Sequence, residues 1–207
     1  MLLIIYKNFC PSADRKYLAR GHLTANADEL YKSEQEATFF FANVIPMWQQ
    51  INAQPGNWYF IEEYVRNLAY RKKQELHVWS GGVGVLHLEN KPIYLVYDTK
   101  SNTVENKMIP VPQVLFKCVI DVENKQSMCF LVVNNPYLTV SELKAENNKY
   151  EICDKLSVCD AVLKNYNHLE LGYTYCCSLK DFWMKNRNQV GLEDVVEFLK
   201  FKNMQLL

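Results

Sequence analysis

The stretch YLARGHLTANADE, residues 17 to 29, is the part of the sequence from which the rest of the chain is interpreted. Arg20, Gly21 and His22 directly follow a short run with the character of a β-strand. The chain has only four histidines among its 207 residues. Glycine has no Cβ atom and permits sharp turns. The sequence therefore predicts a turn at Gly21 that lets Arg20 and His22 reach the same cleft.

The composition is that of an ordinary globular protein. Hydrophobic residues make up 49% of the chain and charged residues 22%, and the length suits one domain, residues 1 to 207, with a sizeable core. The 23 basic and 23 acidic side chains cancel, so no overall positive charge indicates nucleic acid, although a local cationic cleft is compatible with a neutral total. The apolar start MLLII is too short for a secretion signal or a membrane span, and we expect no membrane partner.

The first half of the chain is predicted to be mainly helical. KSEQEATFFFANVIP, residues 32 to 46, predicts a short helix that Ser33 caps, with Glu36 at the capping-box spacing and Pro46 at its end. The following MWQQINAQPGNW predicts a polar loop. A long helix is predicted from Trp58, because WYFIEEYVRNLAYRKKQ repeats apolar residues along one stripe and carries acids early and cations late.

Alternating and β-branched residues predict a sheet in the second half. ELHVWSGGVGVLHLE predicts a hairpin that turns at Gly81 and Gly82, and PIYLVYD, PQVLFKCVIDV and SMCFLVVNN predict further strands. LTVSELK and SLKDFWMKN predict short helices capped by Thr139 and Ser178, and GLEDVVEFLKF predicts a last helix. The fold class is therefore α+β.

Several polar residues have the chemistry that phosphodiester hydrolysis needs. Glu62 and Arg66 lie four residues apart and so on one face of the predicted helix, while Asn43 and Asn52 lie in predicted turns. The reaction needs a base such as His22, oxygen ligands for a hard cation, and positive charge on the phosphate. Each residue also has an ordinary structural explanation, as a turn asparagine or a surface ion pair. Spacing alone therefore does not identify the site.

One long run resembles the core of the DNA/RNA non-specific endonucleases, a ββα-metal family with an RGH signature. This run is LARGHLTANADELYKSEQEATFFFANVIPMWQQINAQPGNWYFIEEYVR. The signature is specific as a set: RGH, then N-x-x-P, then an asparagine ahead of a helix with W, E and R. Four later segments resemble, in order, later strands and turns of the arthropod secreted and digestive members: GVGVLHL, IPVPQVLFKCVID, VVNNP and GYTYCC. The resemblance covers nearly all of residues 17 to 186. It implies a ββα-metal (His-Me finger) fold, with a mixed or antiparallel sheet and a long helix at the metal site.

The resemblance implies metal-dependent, sugar-non-specific hydrolysis of both DNA and RNA. His22 would be the general base that deprotonates the attacking water. Arg20 would contact the substrate and stabilise the transition state, and Arg66 would contact phosphate.

The resemblance also implies the metal site. Asn52 would be the only direct protein ligand of a single Mg²⁺, with Mn²⁺ as a substitute, and Glu62 would hold water bound to the metal and take part in catalysis. Asn43 would support the site among the substrate-binding residues. Glu63 is the rival for the carboxylate role, but it would point about 100° away from Glu62 on the helix.

The sequence departs from the family pattern in four places. Ala19 stands where many relatives have aspartate, and Met47 stands where relatives usually have glutamine, so glutamine at position 47 is expected to preserve or raise activity. The insertion AQPG separates Asn52 from Glu62 more widely than in other branches. Only 19 residues precede Arg20, whereas relatives have a much longer segment there, so the N-terminal part of the family domain is expected to be missing.

These departures leave two functions open. The first is a magnesium-dependent endonuclease. The second is a catalytically weak or inactive nucleic-acid-binding domain descended from one. The joint presence of His22, Asn52, Glu62 and Arg66 favours the enzyme, because a decaying site has no reason to keep all four.

The seven cysteines predict disulfides, because none of their spacings is the CxxC of a zinc site. We predict a bond between Cys153 and one of Cys176 and Cys177, with Cys177 favoured. Only one of the two can face Cys153, because neighbours in an extended segment point to opposite faces. Cys118 and Cys129 lie in predicted strands and are expected to be buried thiols. Disulfides indicate an oxidising compartment, and the resemblance likewise implies a secreted protein, whose signal would lie upstream.

Overall fold

The computed structural model describes residues 15–95, 109–145, 148–161, 165–191 and 193–204. The strands are β1 (Leu18–His22), β2 (Val44–Trp48), β3 (His77–Val83), β4 (His87–Leu88), β5 (Lys91–Pro92), β6 (Tyr94–Leu95), β7 (Ile109–Pro110), β8 (Val114–Asp121), β9 (Gln126–Val133), β10 (Thr174–Cys177) and β11 (Lys202–Asn203). The helices are α1 (Lys32–Ala37), α2 (Gln49–Asn52), α3 (Asn57–Lys72), α4 (Val140–Leu143) and α5 (Leu179–Asn186). The end of the predicted strand PIYLVYD lies outside the described residues.

The part of the chain that carries the RGH sequence is a two-stranded ribbon followed by a long helix. β1 and β2 pair antiparallel, with Arg20 opposite Pro46 and His22 opposite Val44. The short α2 comes next and packs against β1, β2 and α3. This order of strand, strand and helix, beside a mostly antiparallel sheet, confirms the predicted α+β class and the ββα-metal fold.

Residues 32 to 46 do not form one helix. α1 has six residues, and its N-cap is Tyr31, whose backbone N–H donates to the Glu34 carboxylate at 3.2 Å. Ser33 therefore lies inside the helix, and the prediction of a cap by Ser33 with Glu36 is wrong. The capping interaction lies two residues earlier, between an N-cap backbone group and the acid three residues on.

Pro46 does not end a helix but lies inside β2. A two-stranded ribbon consists of edge strands, where a proline without an N–H is tolerated. The loop predicted after Pro46 is mostly regular secondary structure, because only residues 53 to 56 separate α2 from α3. The turn needs Gly56, since a Cβ atom there would overlap the backbone carbonyl of Ile51.

A central sheet follows the ribbon and the long helix. Its strands lie in the order β10, β9, β8 and β3, with β11 paired to β9 in parallel. The predicted hairpin at Gly81 and Gly82 is wrong, because both lie within β3 and pair with Phe116 and Leu115 of β8. A Cβ atom on Gly81 would lie 2.6 Å from Cζ of Phe116. Glycine at this position makes room for a ring and does not form a turn.

The central sheet is buried on both faces. Successive side chains of β8 point to opposite sides. Leu115 and Val119 join the core beneath the ribbon and α3, whereas Phe116 and Ile120 join a second core beneath α5. The continuous apolar run of β8 is typical of a strand covered on both sides.

One buried asparagine joins the ribbon to the central sheet. Asn134 follows β9 and is fully buried. Its Nδ2 donates to the carbonyl oxygens of Pro46 at 3.1 Å and Pro112 at 3.0 Å. Its Oδ1 accepts from the N–H of Trp48 at 3.1 Å. A single side chain thus fixes β2 to the end of the sheet.

The predicted helix caps in the second half are confirmed. The Thr139 hydroxyl accepts from the N–H of Glu142 at 3.3 Å, and the Ser178 hydroxyl accepts from that of Asp181 at 3.1 Å. The last predicted helix is instead a 3₁₀ segment, Glu193–Phe198. In the described ranges no helix combines the length and the apolar character needed to cross a membrane.

The predicted disulfide between Cys153 and Cys177 is confirmed, with the two Cα atoms 6.2 Å apart. Its neighbour Cys176 pairs with Cys159, and their Cα atoms are 5.9 Å apart. Cys176 lies in the core under the ribbon and Cys177 in the core under α5. Opposite orientation of adjacent strand residues therefore gives each cysteine its own partner.

Cys118 and Cys129 also form a disulfide, so the prediction of two buried thiols is wrong. They lie directly opposite each other on β8 and β9, with Cα atoms 4.0 Å apart. Side chains of directly opposed residues project to the same face of a sheet. Which residues of β8 and β9 lie opposite each other depends on the strand register, and the sequence of either strand alone does not reveal it. Three disulfides fit an oxidising compartment.

Gly21 lies within β1, so the predicted turn at this residue is wrong. A Cβ atom on Gly21 would lie 2.6 Å from Cε and 2.8 Å from Cβ of Met47. Glycine is required because the Met47 side chain passes over it. Met47 is itself fully buried in the core under the ribbon, which reverses the expectation that glutamine would be accepted there.

We predict that Met47→Gln destabilises the protein. A carboxamide among apolar side chains loses its bonds to water, which costs about 1–3 kcal/mol when no new partner is available. Met47→Leu is the matched control, since a volume-conserving change costs less than about 1.5 kcal/mol. Urea denaturation of both variants measures the difference. Equal stability of Met47→Gln and the wild type would contradict the packing described for Met47.

Candidate active site

The ribbon presents Arg20 and His22 on one side. Side chains alternate along a strand, so residues 20 and 22 share a face, while Gly21 faces Met47 on the other. Arg20 is exposed. Within the described part of the chain no carboxylate forms an ion pair with it. The RGH sequence thus sets a guanidinium beside an imidazole.

His22 is half-buried and has a ring nitrogen without a hydrogen-bond partner among the described residues. Its imidazole is half-buried and meets the edge of the Phe39 ring, with ring centroids 4.8 Å apart. Its Nε2 is buried and has no hydrogen-bond partner among the described residues. Burial lowers the pKa of His22, and the charge of Arg20 lowers it further. A neutral imidazole with an unbonded ring nitrogen is the state in which histidine can accept a proton at neutral pH.

The helix α3 brings three functional side chains to this strand. Trp58, Glu62 and Arg66 are spaced four residues apart and follow one side of the helix. The Nε1–H of Trp58, which is fully buried, donates to the backbone oxygen of His22 at 3.3 Å. The helix face that carries Glu62 and Arg66 is therefore held against the strand end that carries His22.

The structure adds Lys117, which the sequence analysis did not identify as a site residue. It is 2% exposed, and its ammonium donates to the backbone oxygen of Leu23 at 3.0 Å and to the Ser80 hydroxyl at 2.8 Å. It also lies 4.9 Å from the centre of the Trp58 ring. Since Leu23 directly follows His22, the buried charge fixes the backbone next to the imidazole.

A signal for Lys117 was present in the sequence. It is the one charge inside the apolar run VLFKCVI, which was predicted to be a strand. A lysine is almost never fully buried unless it is paired, because an isolated ammonium loses its hydration. A lone lysine in a buried strand therefore indicates polar partners on another element.

The Glu62 carboxyl group is strongly influenced by its surroundings. Burial raises its pKa to about 7, against the attraction of Lys117, and the negative charge of Asp28 acts in the same direction as burial. Burial lowers the pKa of Lys117, while Glu62 and Asp28 raise it. Glu62 and Lys117 thus act on each other electrostatically. This interaction favours Glu62 over Glu63 as the carboxylate of the site.

Arg66 is held by a carboxylate from the opening stretch of sequence. Its Nε lies 2.8 Å from Oδ1 of Asp28, and both side chains are 37% exposed. Such an exposed pair contributes about 1 kcal/mol or less to stability. A guanidinium carries five N–H donors, and this contact uses the one on Nε. The pair therefore orients Arg66 at the mouth of the site without using all its donors.

Asn43 fixes the chain immediately after His22. Its Nδ2 donates to the backbone oxygens of Thr24 at 3.0 Å and Thr38 at 2.9 Å, and its Oδ1 accepts from the N–H of Thr24 at 3.0 Å. Its own backbone oxygen accepts from the N–H of Leu23 at 2.9 Å. These bonds are those of a residue that supports the site through the backbone.

Asn52 is the last residue of α2, the element that packs against both β1 and α3. Its Nδ2 lies 3.4 Å from Oε1 of Gln49, and no hydrogen bond among the described residues joins it to His22 or Glu62. An amide oxygen and a carboxylate are the hard ligands that Mg²⁺ prefers. The donor chemistry of Asn52 and Glu62 therefore fits a magnesium ion.

Residues 6 to 182 of the chain match the family model described as DNA/RNA non-specific endonuclease. The match includes the ribbon–helix unit and every strand of the central sheet except β11. No solved structure gives a significant match to the chain.

The chain is also similar to curated salivary proteins. It is 31% identical over 172 residues to the salivary endonuclease of Lutzomyia longipalpis, covering 83% of this chain and 39% of that protein. It is 29% identical over 170 residues to salivary protein Tsal2A of Glossina morsitans morsitans (82% and 40%), and 28% identical over 173 residues to the salivary endonuclease of Culex quinquefasciatus (83% and 44%). The chain thus spans less than half the length of these relatives.

We predict that Lys117→Met destabilises the protein substantially. The change leaves the carbonyl of Leu23 and the hydroxyl of Ser80 without their buried donor, at about 1–3 kcal/mol for each unsatisfied group. Lys180→Met, on an exposed position of α5, is the matched control and should stay within about 0.5 kcal/mol of the wild type. Urea denaturation at neutral pH compares the free energies of unfolding of the two variants. Equal losses would contradict the stabilising role of the hydrogen bonds from Lys117 to Leu23 and Ser80.

We predict that the Glu62 carboxyl group makes the metal-free protein less stable as the pH rises from about 4.5 to about 7, whereas the lowered pKa of His22 acts in the opposite direction. Burial raises the pKa of Glu62 from its ordinary value of 4.5 to about 7 in the folded state, so the folded state binds more protons than the unfolded state in this window. Deprotonation then favours the unfolded state. Denaturation in EDTA at a series of pH values measures the slope. Glu62→Gln should reduce the slope, and an unchanged slope would show that another group causes it.

Proposed function

Because this chain belongs to the DNA/RNA non-specific endonuclease family, we propose that it hydrolyses phosphodiester bonds in both DNA and RNA. The observation that carries the proposal is the hydrogen bond from Trp58 to the backbone of His22. This bond joins the helix that carries Glu62 and Arg66 to the strand that carries Arg20 and His22. A phosphodiesterase needs this combination of a base with groups that stabilise negative charge.

His22 is the proposed general base. Its lowered pKa keeps the ring neutral at neutral pH, so it can accept a proton from the attacking water. The water oxygen forms a bond to phosphorus while the bond to the leaving oxygen breaks. Lys117 and Trp58 hold the backbone of residues 22 and 23 and so keep the imidazole in place.

The other polar residues would act on the phosphate. Arg20 and Arg66 supply positive charge to the phosphate oxygens as negative charge develops on them. Asn52 would bind Mg²⁺ directly and Glu62 would hold water bound to it, and the ion when bound supplies further positive charge to the same oxygens. Contacts of this type are made to the backbone of the nucleic acid and do not read base edges, so they support cleavage without sequence preference.

We further propose that the protein acts outside the cell. Disulfides persist in oxidising compartments and are rare in the cytosol, and the described residues form three. The similar proteins from Lutzomyia, Glossina and Culex are named as salivary. Its substrates there would be free DNA and RNA.

We predict that His22→Ala lowers the rate of plasmid cleavage in Mg²⁺ by a factor of about 10²–10⁴, the usual contribution of a general base. The fold should persist, because Trp58 bonds the backbone of residue 22 and not its side chain. His168→Ala, at an exposed position remote in sequence, is the control. Near wild-type turnover in His22→Ala would exclude His22 as the base.

EDTA treatment separates the enzyme from a binding domain that has lost activity. We expect the wild type to stop cleaving after exhaustive chelation and to recover when Mg²⁺ is restored. Full activity after chelation would exclude the role proposed for Asn52 and Glu62. Binding of nucleic acid without cleavage at any Mg²⁺ or Mn²⁺ concentration would instead support the binding domain.

A further inference from the structure

Three consecutive phenylalanines lie on the surface, and the first of them, Phe39, contacts His22. Phe39, Phe40 and Phe41, here called the aromatic shelf, are 50%, 69% and 82% exposed. Burying one such side chain stabilises a protein by about 1.5–3 kcal/mol, so a chain that exposes three in succession forgoes a large gain. Clustered exposure of this kind marks an interaction surface.

The backbone beneath the aromatic shelf is held in place at both ends. Thr38 is buried, and its hydroxyl donates to the backbone oxygen of Gln35 at 2.7 Å. Asn43 donates from its side chain to the backbone oxygen of Thr38 at 2.9 Å and from its N–H to that of Phe40 at 2.9 Å. The rings are therefore presented on a fixed segment that leads directly into β2.

The aromatic shelf is continuous with the candidate active site. The Phe39 ring contacts the imidazole of His22 edge-on, at 85° between the ring planes. The exposed Arg20 projects from the same face of the ribbon as His22. A phosphate bound by Arg20 and attacked beside His22 would leave the bases on either side of it next to these rings.

We propose that the aromatic shelf stacks against unpaired nucleobases that flank the scissile phosphate, so that the site takes single-stranded DNA or RNA. The proposal rests on the function proposed above. Aromatic stacking holds single strands without sequence preference, because every base has a π-face. In a duplex these faces are covered by neighbouring bases, so a duplex gains little from the shelf.

The test compares a single-stranded oligonucleotide with the duplex of the same sequence. The variant is the double change Phe40→Ala and Phe41→Ala, which leaves the Phe39 contact with His22 intact. We expect KM for the single strand to rise by about 5- to 100-fold, the effect of losing one stacked base, while kcat for the single strand and KM for the duplex stay within about twofold. Tyr70→Ala removes an aromatic ring that is also 82% exposed, near the end of α3, and should change neither.

Binding is measured separately, by fluorescence anisotropy of the labelled single strand in EDTA, so that the result does not depend on cleavage. If the wild type binds the strand and the double variant binds it 5- to 100-fold more weakly, the proposed stacking is supported even if the wild type cleaves nothing. Equal binding by both proteins, or equal weakening for strand and duplex, would overturn the proposal. Equal binding is also the result expected if another protein segment covers the rings. Circular dichroism melting confirms that the variants are folded.

Discussion

The buried amide of Asn134 is the interaction on which the arrangement of the molecule depends. It bonds to Pro46 and Trp48 of the ribbon and to Pro112 at the entrance to β8. These groups have no access to water, so each would be left unsatisfied without the amide. The strand β1 is then placed by its pairing with β2. The position of His22 relative to the central sheet is therefore set by a side chain more than a hundred residues away.

Lys117 is a second buried polar group, and it joins the central sheet to the candidate site. Its ammonium gives up hydration inside the protein, which is costly unless all its charge is compensated. The compensation comes from a carbonyl next to His22, a hydroxyl on β3, an aromatic face on α3 and the charges of Glu62 and Asp28. Lys117 thus extends from the central sheet into the region where the ribbon and the long helix α3 meet. Stability and the electrostatics of Glu62 depend on the same contacts.

The site combines fixed and open parts. Asn43, Trp58 and Lys117 use their polar groups on the backbone around residues 22 to 24, which positions the imidazole. The side chains of Arg20 and of the aromatic shelf are exposed, and within the described ranges they form no hydrogen bonds. A fixed imidazole beside exposed cationic and aromatic groups is compatible with the proposed nucleic-acid substrate, in which one bond must be placed accurately while its neighbours vary in sequence.

The sequence by itself determined the α+β class, the long helix with Glu62 and Arg66 on one face, the caps at Thr139 and Ser178, and the bond from Cys153 to Cys177. All of these except the disulfide depend on local periodicity or capping patterns, which the chain encodes over a few positions, whereas the disulfide joins cysteines 24 residues apart. The glycines at 21, 81 and 82 do not form the predicted turns, because what they accommodate, Met47, Phe116 and Pro112, comes from other segments of the chain. The pairing of Cys118 with Cys129 and the partners of Lys117 depended in the same way on strand register. Only the tertiary structure decided these points, because contacts between distant segments fix which face of a strand meets which neighbour.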